Sequence, residues 1–215
     1  MGVTLVIGDR TWSSWSMRPW LVLERSGLAF DVETVRLREG EATAAAIRAA
    51  GSPSGQVPVL KTRDGVVWGS LAICEHVAEI APDAALWPRD PWTRAIARAA
   101  AGEMHAGFAA LRAECPMDLA RPPEPTVLSP AARRDVERLT TLFGAQRREH
   151  AAGGPFLFGG WSIADAFFTP VATRFRTYAV NLSDYGDEGA AGLYVDALLS
   201  TPAFKAWEAD ARAER

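Results

Sequence analysis

The chain has 215 residues, 48% of them hydrophobic and 23% charged, with a net charge of −3. That length and balance suit a soluble globular protein of one large domain or two small ones. The weak negative charge gives no attraction to nucleic acid or an anionic membrane, and no stretch approaches the ~20 apolar residues of a membrane span.

Val3 to Ile7 is a short apolar run that reads as a first strand. The next stretch, Thr11-Trp12-Ser13-Ser14-Trp15-Ser16-Met17-Arg18-Pro19-Trp20, gathers hydroxyls where that strand hands over to a helix. The helix reads from Trp20 onward and closes at Gly27, a C-cap glycine. Free N–H groups and the positive dipole end at a helix start favour negative charge, so these serines suit an anion, including a thiolate. Serines before a helix also serve simply as N-caps, and these ten residues alone leave both roles open.

Phe30 to Leu37 alternates and is rich in β-formers, which predicts a second strand. Ala42 to Ala50 predicts a short helix. Val57 to Thr62 reads as a strand, Asp64-Gly65 as a hairpin turn and Val66 to Trp68 as its partner. Pro58 removes a ladder donor, so it belongs at the strand's first residues or in a special turn. Ser70 opens a helix that runs from Leu71 to Ile80 and stops before Pro82.

Residues 82–92 hold three prolines and read as a linker. Beyond it the pattern is helical. Trp92 to about Glu114 reads as one long helix, and residues 116–130, with five prolines, as a loop. Ser129-Pro130 launches a helix to about His150. After a glycine-rich loop, Ser162 to Asp165 opens another that reaches Tyr178. Gly189 to Leu199 and Pro202 to Ala213 complete the set. The chain therefore divides into an α/β half with order βαβαββα, residues 1–81, and an all-helical half, residues 93–215, joined by the 82–92 linker.

Other chemistry-bearing residues read as structural. Cys74 and Cys115 make neither a disulfide framework nor a metal cluster, which fits a reducing cytoplasm and an inert role for both thiols. The start of the chain lacks a basic stretch followed by an apolar one, so no signal peptide is expected. His76, His105 and His150 lie on predicted helices without metal spacing, and no metal site is expected. Arg18 lies at the positive dipole end of the first helix, which predicts a carboxylate partner, with a substrate role as the alternative.

Four features together resemble the glutathione S-transferase family over nearly the whole chain. Ser13-Ser14-Trp15-Ser16-Met17-Arg18 is similar to the Ser-Ser-x-Ser-x-Arg signature of the zeta class. Gln56-Val57-Pro58 is similar to the family's cis-proline loop, Gly69-Ser70-Leu71-Ala72-Ile73 to its acid-Ser-x-Ala-Ile motif, and Ser162-Ile163-Ala164-Asp165 to its N-capping box. The resemblance implies a thioredoxin-like first domain, a helical second one, a homodimer and glutathione as co-substrate. It assigns glutathione to Ser13, Gln56, Val57, Pro58, Gly69 and Ser70, with Ser13 activating the thiol and Ser14 second. Trp12, Trp15, Arg18, Arg174 and Tyr178 become candidates for an adjacent pocket that takes an electrophilic small molecule.

Three positions depart from the pattern. Gly69 stands where many relatives have Glu or Gln before the motif serine, and Trp15 stands where typical zeta enzymes have cysteine. Thr177 stands where relatives place Arg before an aromatic, although Arg174 shares that helix face. The expected activity is thus a general glutathione transferase. The alternatives are zeta-type cis–trans isomerisation of maleylacetoacetate, a dicarboxylate, and a binding protein of the same fold without turnover.

Overall fold

The computed structural model describes residues 2–214. Its first half runs β1 Val3–Gly8, α1 Ser14–Ser26, β2 Phe30–Val35, α2 Glu41–Ala49, β3 Val59–Thr62, β4 Gly65–Trp68 and α3 Ser70–Ile80. The sheet order is β2-β1-β3-β4. β2 is parallel to β1, with Val3 opposite Phe30; β3 is antiparallel to β1, with Leu5 opposite Leu60, and β4 is antiparallel to β3. Central β1 is buried on both faces, as a two-residue side-chain period requires of a covered strand. Leu5 and Ile7 join the main core, while Val6 turns the other way to meet Val35, Ile47 and Val59 under α2.

The second half comprises α4 Pro91–Ala106, α5 Ala109–Glu114, α6 Pro130–His150, α7 Ile163–Thr177, α8 Ala190–Ser200 and α9 Pro202–Ala213. α7 is its axis: every residue except Arg176 is buried. A helix without a polar face belongs inside a protein. α1 packs on α7 as well as on α3, and one continuous apolar core crosses from the sheet to the helical half.

Three local structures differ from the sequence reading. α1 begins six residues earlier than predicted, at Ser14, and carries Pro19 inside it. The cap formed by Ser13 sustains a first turn ahead of Pro19. β2 ends at Val35 because the Leu37 N–H leaves the ladder for Asp9 Oδ2, 2.6 Å away. The long helix predicted from Trp92 is broken: Gly107 is extended and Phe108 is left-handed at φ 58°, separating α4 from α5. Burial of the Phe108 ring accompanies that unfavourable backbone.

Asp165 carries the capping box at the start of α7. Its Oδ2 accepts the Ser162 N–H at 2.7 Å and the Ser162 hydroxyl at 3.1 Å. Its Oδ1 accepts the Leu157 N–H at 3.0 Å and the Tyr194 hydroxyl at 2.9 Å. Burial pushes this carboxyl up to about 6 while all four donors oppose the shift. Ser162→Ala should therefore lower unfolding free energy by about 0.5–2 kcal/mol. Asp165→Ala, which strands several buried donors at ~1–3 kcal/mol each, should cost clearly more. Equal urea midpoints for the two variants would refute this hierarchy.

Candidate functional site

The first turn of α1 sits between two adjoining cavities. Ser13 is the N-cap: its Oγ accepts the Ser16 N–H at 3.4 Å and donates to Ser16 Oγ at 2.7 Å. Ser16 Oγ also accepts the Gly8 N–H at 3.1 Å, which ties the helix to the end of β1. The bland reading of these serines is thus part of the structure, and it does not exhaust them.

The first cavity, about 520 Å³, is lined by Ser13, Gln56, Val57, Pro58, Gly69 and Ser70 together. The Val57–Pro58 bond is cis, immediately before β3. The Ser52 hydroxyl donates to the Gln56 carbonyl at 2.7 Å and accepts its N–H at 3.1 Å, fixing the approach to that bond. Ser70 opens α3, and its Oγ is fully buried without a hydrogen-bond partner among the described residues. Gly69 stands at φ 84°, ψ 128°, a backbone that a Glu or Gln side chain enters under strain. Glycine holds this backbone without that strain.

The second cavity, about 460 Å³, shares Trp12 and Trp15 with the first. Ser14 lines it, with Arg38, Arg112 and Arg174, and its lining holds no acidic residue. Arg174 is firmly placed: Nε donates to the Cys115 carbonyl and Nη1 to the Pro170 carbonyl, both at 2.9 Å, and Nη2 to Ser14 Oγ at 3.3 Å. Burial, then Arg112, lowers its pKa to about 10, so it stays charged at neutral pH. Arg38 stacks on Trp12 at 4.2 Å and Arg112 on Trp15 at 4.5 Å. Ala106, Gly107, Ala109 and Ala113 add small residues to the lining where α4 breaks into α5.

Two candidates for this second pocket lie elsewhere. Tyr178 is not in the lining of either cavity; its buried ring turns the hydroxyl to the Pro116 carbonyl at 2.9 Å. Arg18 is also absent from both linings, and it has no carboxylate partner among the described residues. Its guanidinium lies between the rings of Trp15, at 4.5 Å, and Phe167, at 4.8 Å. Burial pushes both cysteine thiols up, Cys115 to about 11, so neither serves as a nucleophile at neutral pH.

Three side chains of the site escaped sequence reading: Arg38, Arg112 and His105. His105 lines the first cavity from α4, and its ring meets Trp15 edge-on at 5.1 Å. Nothing local marks it, because its neighbours come from α1 and the β3 loop, far away in sequence.

Residues 12–80 match the family described as Glutathione S-transferase, N-terminal domain. A maleylacetoacetate isomerase from Anaeromyxobacter dehalogenans, solved with glutathione in its active site, is 30% identical, with TM-score 0.67 over 98% of this chain and 97% of that one. The chain belongs to the glutathione S-transferase family. A glutathione transferase homologue from Burkholderia, solved with bound glutathione, is 25% identical, with TM-score 0.74 over 99% of this chain and all of that one. A probable maleylacetoacetate isomerase from Caenorhabditis elegans is 28% identical over 174 residues, 80% of this chain and 79% of that protein.

Desolvation, followed by the charges of Arg18 and Arg112, lowers the His105 pKa below its ordinary 6.5. The folded protein therefore resists protonating this imidazole, and the group withdraws stability as pH falls through 6.5. Proton NMR titration should find the His105 midpoint below 6.5 and the ring neutral at pH 7. A midpoint above 6.5 would contradict the described surroundings.

Proposed function

We propose that this family member is a glutathione-dependent enzyme acting on an acidic electrophile. Glutathione occupies the cavity of Ser13, Gln56, Val57 and Ser70, contributed by residues 1–81; the electrophile occupies the adjoining cavity, faced largely by residues 93–215. The observation that carries this reading is the set Arg38, Arg112 and Arg174 around one cavity without a carboxylate. Guanidinium groups bind carboxylates through charge-assisted, often bidentate hydrogen bonds.

The chemistry begins with the thiol. A free thiol has a pKa of about 8.5, so only a few per cent is ionised at neutral pH. The Ser13–Ser16 hydroxyl pair, 2.7 Å apart, can carry its shared proton from either side. When Ser16 donates, Ser13 keeps its place in the cap and its own proton turns to the sulfur. Such a bond to an anion is worth roughly 1.5–3 kcal/mol, about 1–2 pKa units.

The thiolate then attacks across the Trp12–Trp15 wall. With maleylacetoacetate, the substrate named for two relatives, sulfur adds to a double-bonded carbon and the π electrons move onto the conjugated carbonyl as an enolate. Rotation about the new single bond follows, and the returning electron pair expels the thiolate. Glutathione is regenerated, and the arginines hold the carboxylates meanwhile. The second reading is a transferase that keeps the thioether. The small lining residues Ala106, Gly107, Ala109 and Ala113, together with Trp15 in place of the zeta cysteine, favour it for bulkier acids. Product NMR separates the two: a trans acid with free glutathione, or a stable conjugate.

Ser13→Ala should raise the bound thiol pKa, read from thiolate absorbance, and lower the rate at least tenfold near pH 7 with partial recovery near pH 9. Ser14→Ala should do less. If neither variant moves the pKa, the serines are caps alone. Separately, Arg112→Ala should raise KM for an acidic electrophile about tenfold or more, and for a neutral electrophile less than threefold. Equal losses on both would remove carboxylate recognition from Arg112.

A further inference from the structure

Arg18 is the least explained charge in the molecule. It is fully buried on α1, and its Nε and Nη1 have no hydrogen-bond partner among the described residues. The elements around it bring no compensating anion: its charged or titratable neighbours are Arg112 from α5, Arg174 from α7 and Cys74 from α3, whose thiol burial keeps protonated. His105 from α4 feels its charge as well. Burying a cation without a counter-ion is among the most destabilising arrangements a fold can hold. Burial lowers the Arg18 pKa, but only to about 9, so the charge persists at neutral pH. The faces of Trp15 and Phe167 offset part of the desolvation by cation–π attraction.

Trp15 gives that charge a direction. The ring is a shared wall of both cavities, so Arg18 stands close to each without touching a ligand in either. His105 reports on the field: it lines the first cavity, and Arg18 disfavours its protonated form. A field that disfavours a cation there favours an anion by the same sign. We propose that Arg18 is a positioning residue for thiol ionisation: its unneutralised charge, acting through the Trp15 wall, acidifies the thiol bound in the cavity of Ser13 and Ser70. A unit charge ~8–12 Å away, at an effective dielectric of ~20, shifts a pKa by about 1–1.5 units, comparable to the Ser13 hydroxyl.

This inference rests on glutathione occupying that cavity, and the test separates the two. Arg18→Met removes the charge with little change of volume, and Arg18→Lys retains it. In Arg18→Met the bound thiol pKa should rise by about one unit, with a rate loss of about tenfold at pH 7 that disappears near pH 9. Without glutathione, NMR titration should show the His105 midpoint rising in the same variant. Arg18→Lys should restore both midpoints toward the parent values, which a purely packing role would not require. If Arg18→Met does not fold, Arg18→Gln supplies the same two readouts. A bound thiol pKa unchanged in the charge-free variant overturns the proposal. Should the parent protein fail to bind glutathione, the functional reading falls, and an unmoved His105 midpoint then overturns the field as well.

Discussion

The site depends on one junction, the tie between the end of β1 and the first turn of α1. Ser16 Oγ accepts the Gly8 N–H while paired to Ser13 Oγ, so strand, cap and helix form one hydrogen-bonded unit. A Cβ at Gly8 would lie 2.5 Å from Leu37 Cδ1, so a larger residue there displaces the Leu37 side chain. Leu37 is in turn held by Asp9 through its N–H, and the next residue, Arg38, takes a left-handed backbone at φ 65° to stack on Trp12. A disturbance at Gly8 would thus reach Ser13 in one cavity and Arg38 in the other.

The second governing constraint is electrostatic. Arg18 and Arg174 are both buried within reach of Arg112, which disfavours the charge of each, and Arg174 also disfavours that of Arg18. Buried arginines are normally paired, and an unpaired one is evidence of stability given up for something else. Arg174 recovers part of the cost through two carbonyls and Ser14. Arg18 recovers part from the faces of Trp15 and Phe167, while its Nε and Nη1 have no hydrogen-bond partner among the described residues. The asymmetry suits their proposed roles: Arg174 faces a cavity where an acid completes its coordination, whereas Arg18 faces aromatic rings and acts at a distance.

Much of this was legible in the sequence, and the reason it was legible also marks the boundary. The strand–helix order and the Ser162–Asp165 box are local patterns, readable from spacing and capping chemistry, whereas the cis bond before Pro58 came from the family resemblance alone. The six residues assigned to glutathione are local motifs too, and they share one cavity because their elements adjoin in the βαβαββα order. Partners across the chain were not legible. Dipole reasoning predicts a carboxylate beside Arg18, but the structure brings Trp15 and Phe167 instead, the latter 149 residues away in sequence. His105 and Arg112 flank the Gly107–Phe108 break, which an alanine-rich run conceals because no proline marks it.

Helix geometry also explains how adjacent serines come to face different cavities. Successive residues in an α-helix turn by about 100°, so the N-cap and the first helical residue cannot share one outlook. Ser13 lines the cavity with Gln56 and Ser70, whereas Ser14 lines the arginine cavity and accepts from Arg174. A helix beginning at Trp20, as the sequence reading has it, would leave the serines in a loop and their orientations undetermined. Beginning at Ser14, it gives each a fixed direction and sets Trp15 between them as the common wall. The proposed pairing of the thiol with Ser13 therefore depends on where the helix starts, and that start depends on the cap that Ser13 itself provides.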